Sequence, residues 1–457
     1  MKGRTLLRAA VVLGTLVLAP AALAAGGFSA GSDGLGDPMF PLAGNGGYNV
    51  SNYSLTLDYT PSGNRLVGTA VINARATQNL SSFDLDFRMH DVTRLLVNGA
   101  PAAFSYAKQQ ELVVTPAAGL VQGKTFTVTV EYAGTPLVVT DPDQSIEGWV
   151  PTDDGAFVVN EPQGSPGWYP VNDNPRDKAT YDFRVTVPDG LTVMANGVLA
   201  SETHSAGKAT WVWRESDPMA PYLATTTLGK FDLTKSTTSG IPTYVAVDPQ
   251  LAKGQVLSKL AEAVNFYSSI YGPYPFNAVG AIVDSAKVVG YSLETQTKPN
   301  FPYVPDEATL VHELSHMWFG DAVTLTRWPD IWLHEGFATF SEWIWRERHG
   351  GQSAQRTFEQ LYASKQSPWS PAPAALERPS QLFSTPVYDR GGMTLQALRV
   401  KIGDAAFFKL LRDWYLQNRY GNATTEGFIA LAEAETGRDL DAFFKAWLYT
   451  PAKPTSW

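Results

Sequence analysis

The sequence predicts an α+β chain of two main domains, β-rich first and mostly helical second. Three observations carry that expectation. From Tyr48 to about Asp232, apolar residues recur at every second position, whereas beyond about residue 250 they recur at every third or fourth. The chain has 457 residues, more than one hydrophobic core usually organises. The second half also holds a compact His/Glu motif on a stretch with helical spacing.

The start of the chain reads as a basic segment with Lys2, Arg4 and Arg8, then a short apolar run from Ala9 to Ala19, then Ala22-Leu23-Ala24. That is the pattern of a secretory signal peptide over residues 1–24. The apolar run is too short to span a bilayer comfortably, so export to the periplasm or the medium is expected. Residues 25–47, rich in Gly, Ser and Pro, read as a flexible lead-in. Over 48–232, Tyr53, Leu55, Leu57 and Tyr59 alternate with polar residues. So do Phe126, Val128, Val130 and Tyr132, and then Tyr181, Phe183, Val185 and Val187. Asn98-Gly99 and Asn196-Gly197 are hairpin signals.

The 233–457 segment changes period. Leu257, Leu260, Val264 and Tyr267 mark an amphipathic helix that Gly272-Pro273 stops, and Val279 to Val283 reads as a buried strand. Pro305-Asp306-Glu307 opens the next helix with proline and acids in its first turn, and Trp328-Pro329-Asp330 opens the one after. Further helices are expected over about 404–418, 425–435 and 439–449.

Composition narrows the function. Hydrophobic content of 44% with 17% charged residues is that of an ordinary globular protein. A net charge of −9 and a pI near 5.3 argue against nucleic acid or an anionic membrane as partner. With no Cys, stability owes nothing to disulfides. A monomer is the expectation.

The chemistry sits in His312-Glu313-Leu314-Ser315-His316. On a helix, positions i and i+4 share one face, so both imidazoles can reach one zinc ion. Glu313 projects beside the metal, where a base takes a proton from water. Eighteen residues separate His316 from Glu335, which lies in Trp332-Leu333-His334-Glu335-Gly336-Phe337-Ala338, and a second helix could return it to the metal. Two His, one Glu and an open position are the form of a catalytic zinc site. His334 and His349 lack ligand spacing and read as structural.

With both helices in place, the sequence resembles the aminopeptidase N-like family of gluzincin zinc metallopeptidases, in a short form without the C-terminal helical-repeat domain. The resemblance covers most of the chain. It implies a saddle-like β domain before a thermolysin-like catalytic domain, and a more open cleft where the repeat domain is missing. It also implies one catalytic Zn²⁺ on His312, His316 and Glu335, with Glu313 as general base. Gly290-Tyr291-Ser292-Leu293-Glu294-Thr295 is similar to the family's G-A-M-E-N segment, which assigns Glu294 to the substrate's α-ammonium group. Tyr291, Ser292, Leu293 and Thr295 depart from that motif. Tyr388-Asp389-Arg390-Gly391 is similar to Y-x-K-G and makes Tyr388 the donor to the oxyanion. Glu161-Pro162-Gln163-Gly164 sits where the family reaches into the site from the β domain; Glu161 and Gln163 compete for the amine, with Glu161 favoured.

The implied activity is hydrolysis of N-terminal residues from peptides with a free amine. A thermolysin-like endopeptidase would share the zinc signature without amine capture. An aminopeptidase that also opens epoxides is permitted by the family, and no residue indicates it. A non-catalytic peptide-binding module would be expected to lose Glu313 or a ligand, and all four residues are present.

Overall fold

The computed structural model describes residues 27–455 except 90, 252–254 and 366–368; the expected signal peptide lies outside the described residues. The alternating segments build an eight-stranded sheet in the order Val198–Ser205, Lys208–Met219, Ala179–Pro188, Tyr48–Thr60, Arg65–Ala76, Thr125–Gly134, Val92–Val97 and Ala100–Pro101. Pairing is antiparallel except between Tyr48–Thr60 and Ala179–Pro188, which run parallel with Tyr53 opposite Tyr181. The period of two puts Tyr53, Leu55, Leu57 and Tyr59 on the buried face. A five-stranded sheet, including Ile146–Pro151 and Ala156–Val159, lies in the same half.

Two turn signals had different outcomes. Asn98 and Gly99 both take positive φ, 52° and 77°, and close the tight hairpin expected of them. Asn196-Gly197 instead joins strands of two different sheets. The Asn196 side chain donates to the carbonyls of Leu223 (2.9 Å) and Gln296 (2.7 Å), so the corner is an anchor between layers.

The lead-in is not loose where it is described. Ser29–Ala30 pairs with the strand Leu80–Asp86, and Met39, Phe40 and Ala43 are buried. Asp37 accepts backbone N–H groups of Met39 and of Trp328, each at 2.8 Å. Apolar burial and this carboxylate outweigh the Gly/Ser/Pro content that suggested flexibility.

The second half begins with a four-stranded sheet, Asp232–Thr238, Ile241–Val247, Val279–Val283 and Asn300–Phe301. Its helices are α1 (Leu260–Tyr271), α2 (Glu307–Ser315), α3 (Trp332–Arg348), α4 (Ala354–Ala363), α5 (Gly391–Ile402), α6 (Asp404–Asn418), α7 (Thr425–Thr436) and α8 (Asp441–Phe444). Among the described residues, no helix is long and apolar enough to cross a membrane. One continuous hydrophobic core runs through both halves. Polar links cross the same boundary. Lys178 Nζ donates to the carbonyls of Asp321 (2.9 Å) and Ala322 (3.2 Å), and Asn300 Nδ2 to that of Val158 (2.9 Å). The Tyr291 phenol donates to the Ile146 carbonyl at 3.1 Å.

Candidate active site

Helix α2 starts where Asp306 caps it, its carboxylate accepting the Thr309 N–H at 2.8 Å. His312 and Glu313 lie on its last turns, and His316 terminates it in helical conformation (φ −58°, ψ −24°). Helix α3 follows a short 3₁₀ turn at Trp328–Asp330. Its start is pinned by Trp332 Nε1 on Thr425 Oγ1 (2.8 Å), a hydroxyl that itself donates to Asp330 (2.6 Å). Glu335 therefore sits in the first turn of a fixed helix, where the helix dipole favours a carboxylate.

These elements bring ligand atoms of His312, His316 and Glu335 within 4.8 Å of one another. Glu335 Oε2 is 3.1 Å from His312 Nε2 and 3.5 Å from His316 Nε2. The opposite ring nitrogens are engaged. His312 Nδ1 donates to Glu342 Oε1 at 2.7 Å, and His316 Nδ1 to the Phe319 carbonyl at 3.0 Å. Each ring therefore turns its Nε2 lone pair inward, the arrangement by which metal-ligating histidines are oriented. Burial opposes charge on Glu335, but His316 and His312 hold its carboxyl well below the ordinary range. Two such imidazoles and one carboxylate are the donor chemistry of a Zn²⁺ site, so the residues fit that ion.

Close backbone contact brings in Tyr388. A Cβ on Gly336 of α3 would stand 2.8 Å from Gly391 Cα, and one on Gly391 would stand 2.7 Å from Gly336 Cα. Two glycines thus let α3 touch the start of α5. The π-helical turn Pro386–Arg390 immediately before α5 places the Tyr388 ring over His312, with centroids 6.1 Å apart and planes 23° from parallel. Arg390 is fully buried and holds this turn in place. It donates to the carbonyls of Trp447 (2.9 Å), Ala446 (2.9 Å), Thr450 (2.6 Å) and Trp369.

A cavity of about 420 Å³ opens on these groups, lined by Glu161, Glu294, His312, Glu313, His316, Glu335 and Tyr388 among others. Burial pushes the Glu313 carboxyl up to about 8, against the pull of His312 and His316. Burial, then the neighbouring carboxylates led by Glu335, holds the Tyr388 phenol well above its ordinary value, so it stays a protonated donor. Glu161 and Glu294 are buried, and Oε1 of each has no hydrogen-bond partner among the described residues. Burial raises both carboxyls; Glu294 raises Glu161 further, while His316 offsets part of the shift at Glu294. Two converging, unsatisfied carboxylates are stabilised by a cation placed between them.

Residues 49–223 match the family model described as the peptidase M1 N-terminal domain, and residues 297–447 the model described as the peptidase family M1 domain. The chain belongs to peptidase family M1. Aminopeptidase N of Streptomyces lividans is 24% identical over 447 residues, covering 88% of this chain and 50% of that protein. Aminopeptidase M1-C of Oryza sativa subsp. japonica is 27% identical over 311 residues, covering 61% and 35%. The chain thus spans half the length or less of these curated relatives. The solved structure of an M1 zinc metallopeptidase from Deinococcus radiodurans matches with a TM-score of 0.85 at 28% identity. That match covers 93% of this chain and 99% of the other. A mutant of that enzyme bound to a Tyr-Ser-Ala substrate matches with a TM-score of 0.84.

Within this M1 fold, the expected site residues separate cleanly. His312, His316, Glu335, Glu313, Glu294, Tyr388 and Glu161 share one cavity. Gln163 does not join it. Its side chain accepts from Arg88 (2.9 Å), donates to Asp141 (2.8 Å) and lines a different cavity. The turn after Pro162 directs it away from the metal ligands, which leaves Glu161 facing the site alone. His334 accepts the Leu325 N–H at 3.0 Å, and burial lowers its pKa to about 3. His349 stacks on Trp345, with ring centroids 3.7 Å apart, away from the cavity. Of the motif departures, Tyr291 and Ser292 line the cavity, while Leu293 packs with Val150, Phe157 and Val159. Sequence reasoning missed Glu342. Its signal was present, because Glu342 lies two turns after Glu335 on α3 and so shares its face.

Proposed function

We propose that this protein is an exported zinc aminopeptidase that removes N-terminal residues from peptides. One observation carries the reading: two buried carboxylates with unsatisfied oxygens, Glu161 and Glu294, share a cavity with the His312/His316/Glu335 triad and Glu313. An endopeptidase has no use for that pair, because an internal peptide nitrogen carries no charge. A cationic α-amine does, and anchoring it sets the first peptide bond at the triad. The M1 family, the aminopeptidase relatives and the peptide-bound neighbour support the same reading.

His312, His316 and Glu335 would hold the zinc, which supplies Lewis-acid polarisation of the carbonyl and of water. Glu161 and Glu294 bind the α-ammonium and bring the scissile carbonyl to rest beside Glu313. The Glu313 carboxylate accepts the proton of the attacking water and then returns it to the leaving amine. Tyr388 donates a hydrogen bond from its phenolic O–H to the carbonyl oxygen as that atom becomes anionic, and keeps its proton. Glu342 keeps the His312 ring in its orientation.

The test uses one peptide with a free and with an acetylated N-terminus, and follows products by mass spectrometry. Stepwise loss of residues from the free form alone is expected, and Glu313→Gln should abolish it with zinc still bound. Internal cleavage of both forms would replace this reading by an endopeptidase. No cleavage of either would favour a peptide-binding module.

A further inference from the structure

The cavity holds one carboxylate that the proposed reaction does not use. Asp143 lines it together with Glu161, Glu294, Glu313 and Glu335, and among the described residues no Lys or Arg side chain does so. We propose that Asp143 selects substrates whose first residue is cationic, lysine or arginine; this inference rests on the aminopeptidase reading above.

The position of Asp143 is set by the fold. It lies at the tip of the hairpin joining Val138–Thr140 to Ile146–Pro151, closed by Asp141 N–H on the Ser145 carbonyl (3.0 Å) and Gln144 N–H on the Asp141 carbonyl (2.8 Å). One oxygen, Oδ1, accepts the Ser145 N–H (2.9 Å) and hydroxyl (2.6 Å). The carboxylate therefore has a defined direction, and its second oxygen takes no part in that turn. The Tyr291 phenol, hydrogen-bonded to the Ile146 carbonyl, fastens this hairpin to the segment that carries Glu294. The acid and the amine pair are thereby held at a fixed separation across one space.

A substrate whose ammonium lies between Glu161 and Glu294 must place its first side chain in the rest of that space. Tyr291, Tyr303 and Phe383 line it and supply aromatic surface for an aliphatic stem. Asp143 is exposed and has no cationic partner among the described residues, so a lysine or arginine head can meet it without leaving water entirely. The gain is that of a solvent-exposed ion pair, a preference of about two- to fivefold. Glu and Asp at the first position meet the same field with the opposite sign.

The test compares kcat/KM for Arg-Ala-Ala and citrulline-Ala-Ala, which differ in charge and hardly in shape. In the wild-type protein at low ionic strength the arginine peptide should be favoured about two- to fivefold, and added salt should shrink the ratio. Asp143→Asn keeps an acceptor for Ser145 and should bring the ratio to about one. Asp143→Lys should reverse it. A wild-type ratio near one, or a ratio unchanged by Asp143→Asn, would overturn the proposal while leaving the aminopeptidase reading intact. Failure to cleave any free-amine peptide would overturn both.

Discussion

At the scale of single residues, the site depends on orientation as much as on identity. His312 presents Nε2 to the triad because Glu342 occupies Nδ1. Substituting Glu342→Gln keeps the size and loses the charged acceptor. Zinc affinity measured by competition with a chelator should fall about 10- to 100-fold, with the fold intact by circular dichroism. Unchanged affinity would remove Glu342 from the account. The His-Glu-x-x-His spacing was legible because helix periodicity alone places two imidazoles on one face. Tyr388 was not legible in that way. The chain has 19 Tyr, and only the resemblance to a known family singled this one out. Glu161 and Gln163 stand two residues apart with similar chemistry, so pattern could not rank them firmly; the direction of the chain after Pro162 separates them.

At the scale of elements, the contact between α3 and α5 positions Tyr388 against the His312/His316/Glu335 triad. Gly336→Ala improves intrinsic helix propensity by about 1 kcal/mol. It also drives a methyl group to 2.8 Å from the Gly391 backbone, which cannot yield as a flexible side chain would. Overpacking of this kind costs about 1–3 kcal/mol, so net destabilisation is expected. Because the same shift displaces Tyr388, kcat should fall more than KM changes. A variant with higher Tm and full kcat would contradict the assigned role of this contact. The period-two and period-three-to-four signals predicted the alternating strands, α1, α6 and α7 well, since burial pattern decides those elements. They failed at Asn196-Gly197, where tertiary hydrogen bonds to Leu223 and Gln296 redirect the chain between sheets.

At the scale of the whole molecule, the two halves share one core, and buried carboxyls tie distant segments together. Asp177 accepts the Val50 N–H at 3.0 Å, linking the loop before Ala179–Pro188 to the first long strand. Burial pushes its carboxyl up to about 7, in spite of that hydrogen bond. The folded state therefore holds a proton there that the unfolded chain releases near pH 4. The resulting stabilisation is fully present below about pH 4 and is lost as pH rises through about 7. Between pH 5 and pH 8 the wild-type Tm should fall more steeply than that of Asp177→Asn; parallel curves would exclude this linkage. The lead-in was misread at the same scale, because Met39, Phe40 and Asp37 find partners that local composition does not reveal.

The central claim is that a pair of buried carboxylates turns an M1 zinc site into an aminopeptidase. The most direct measurement is kcat/KM of the double variant Glu161→Gln/Glu294→Gln on a free-amine tripeptide, with zinc content determined on the same sample. Loss of two charges that face a desolvated ammonium should lower kcat/KM by about a hundredfold or more with zinc retained. Wild-type kcat/KM in the zinc-loaded double variant would contradict the claim.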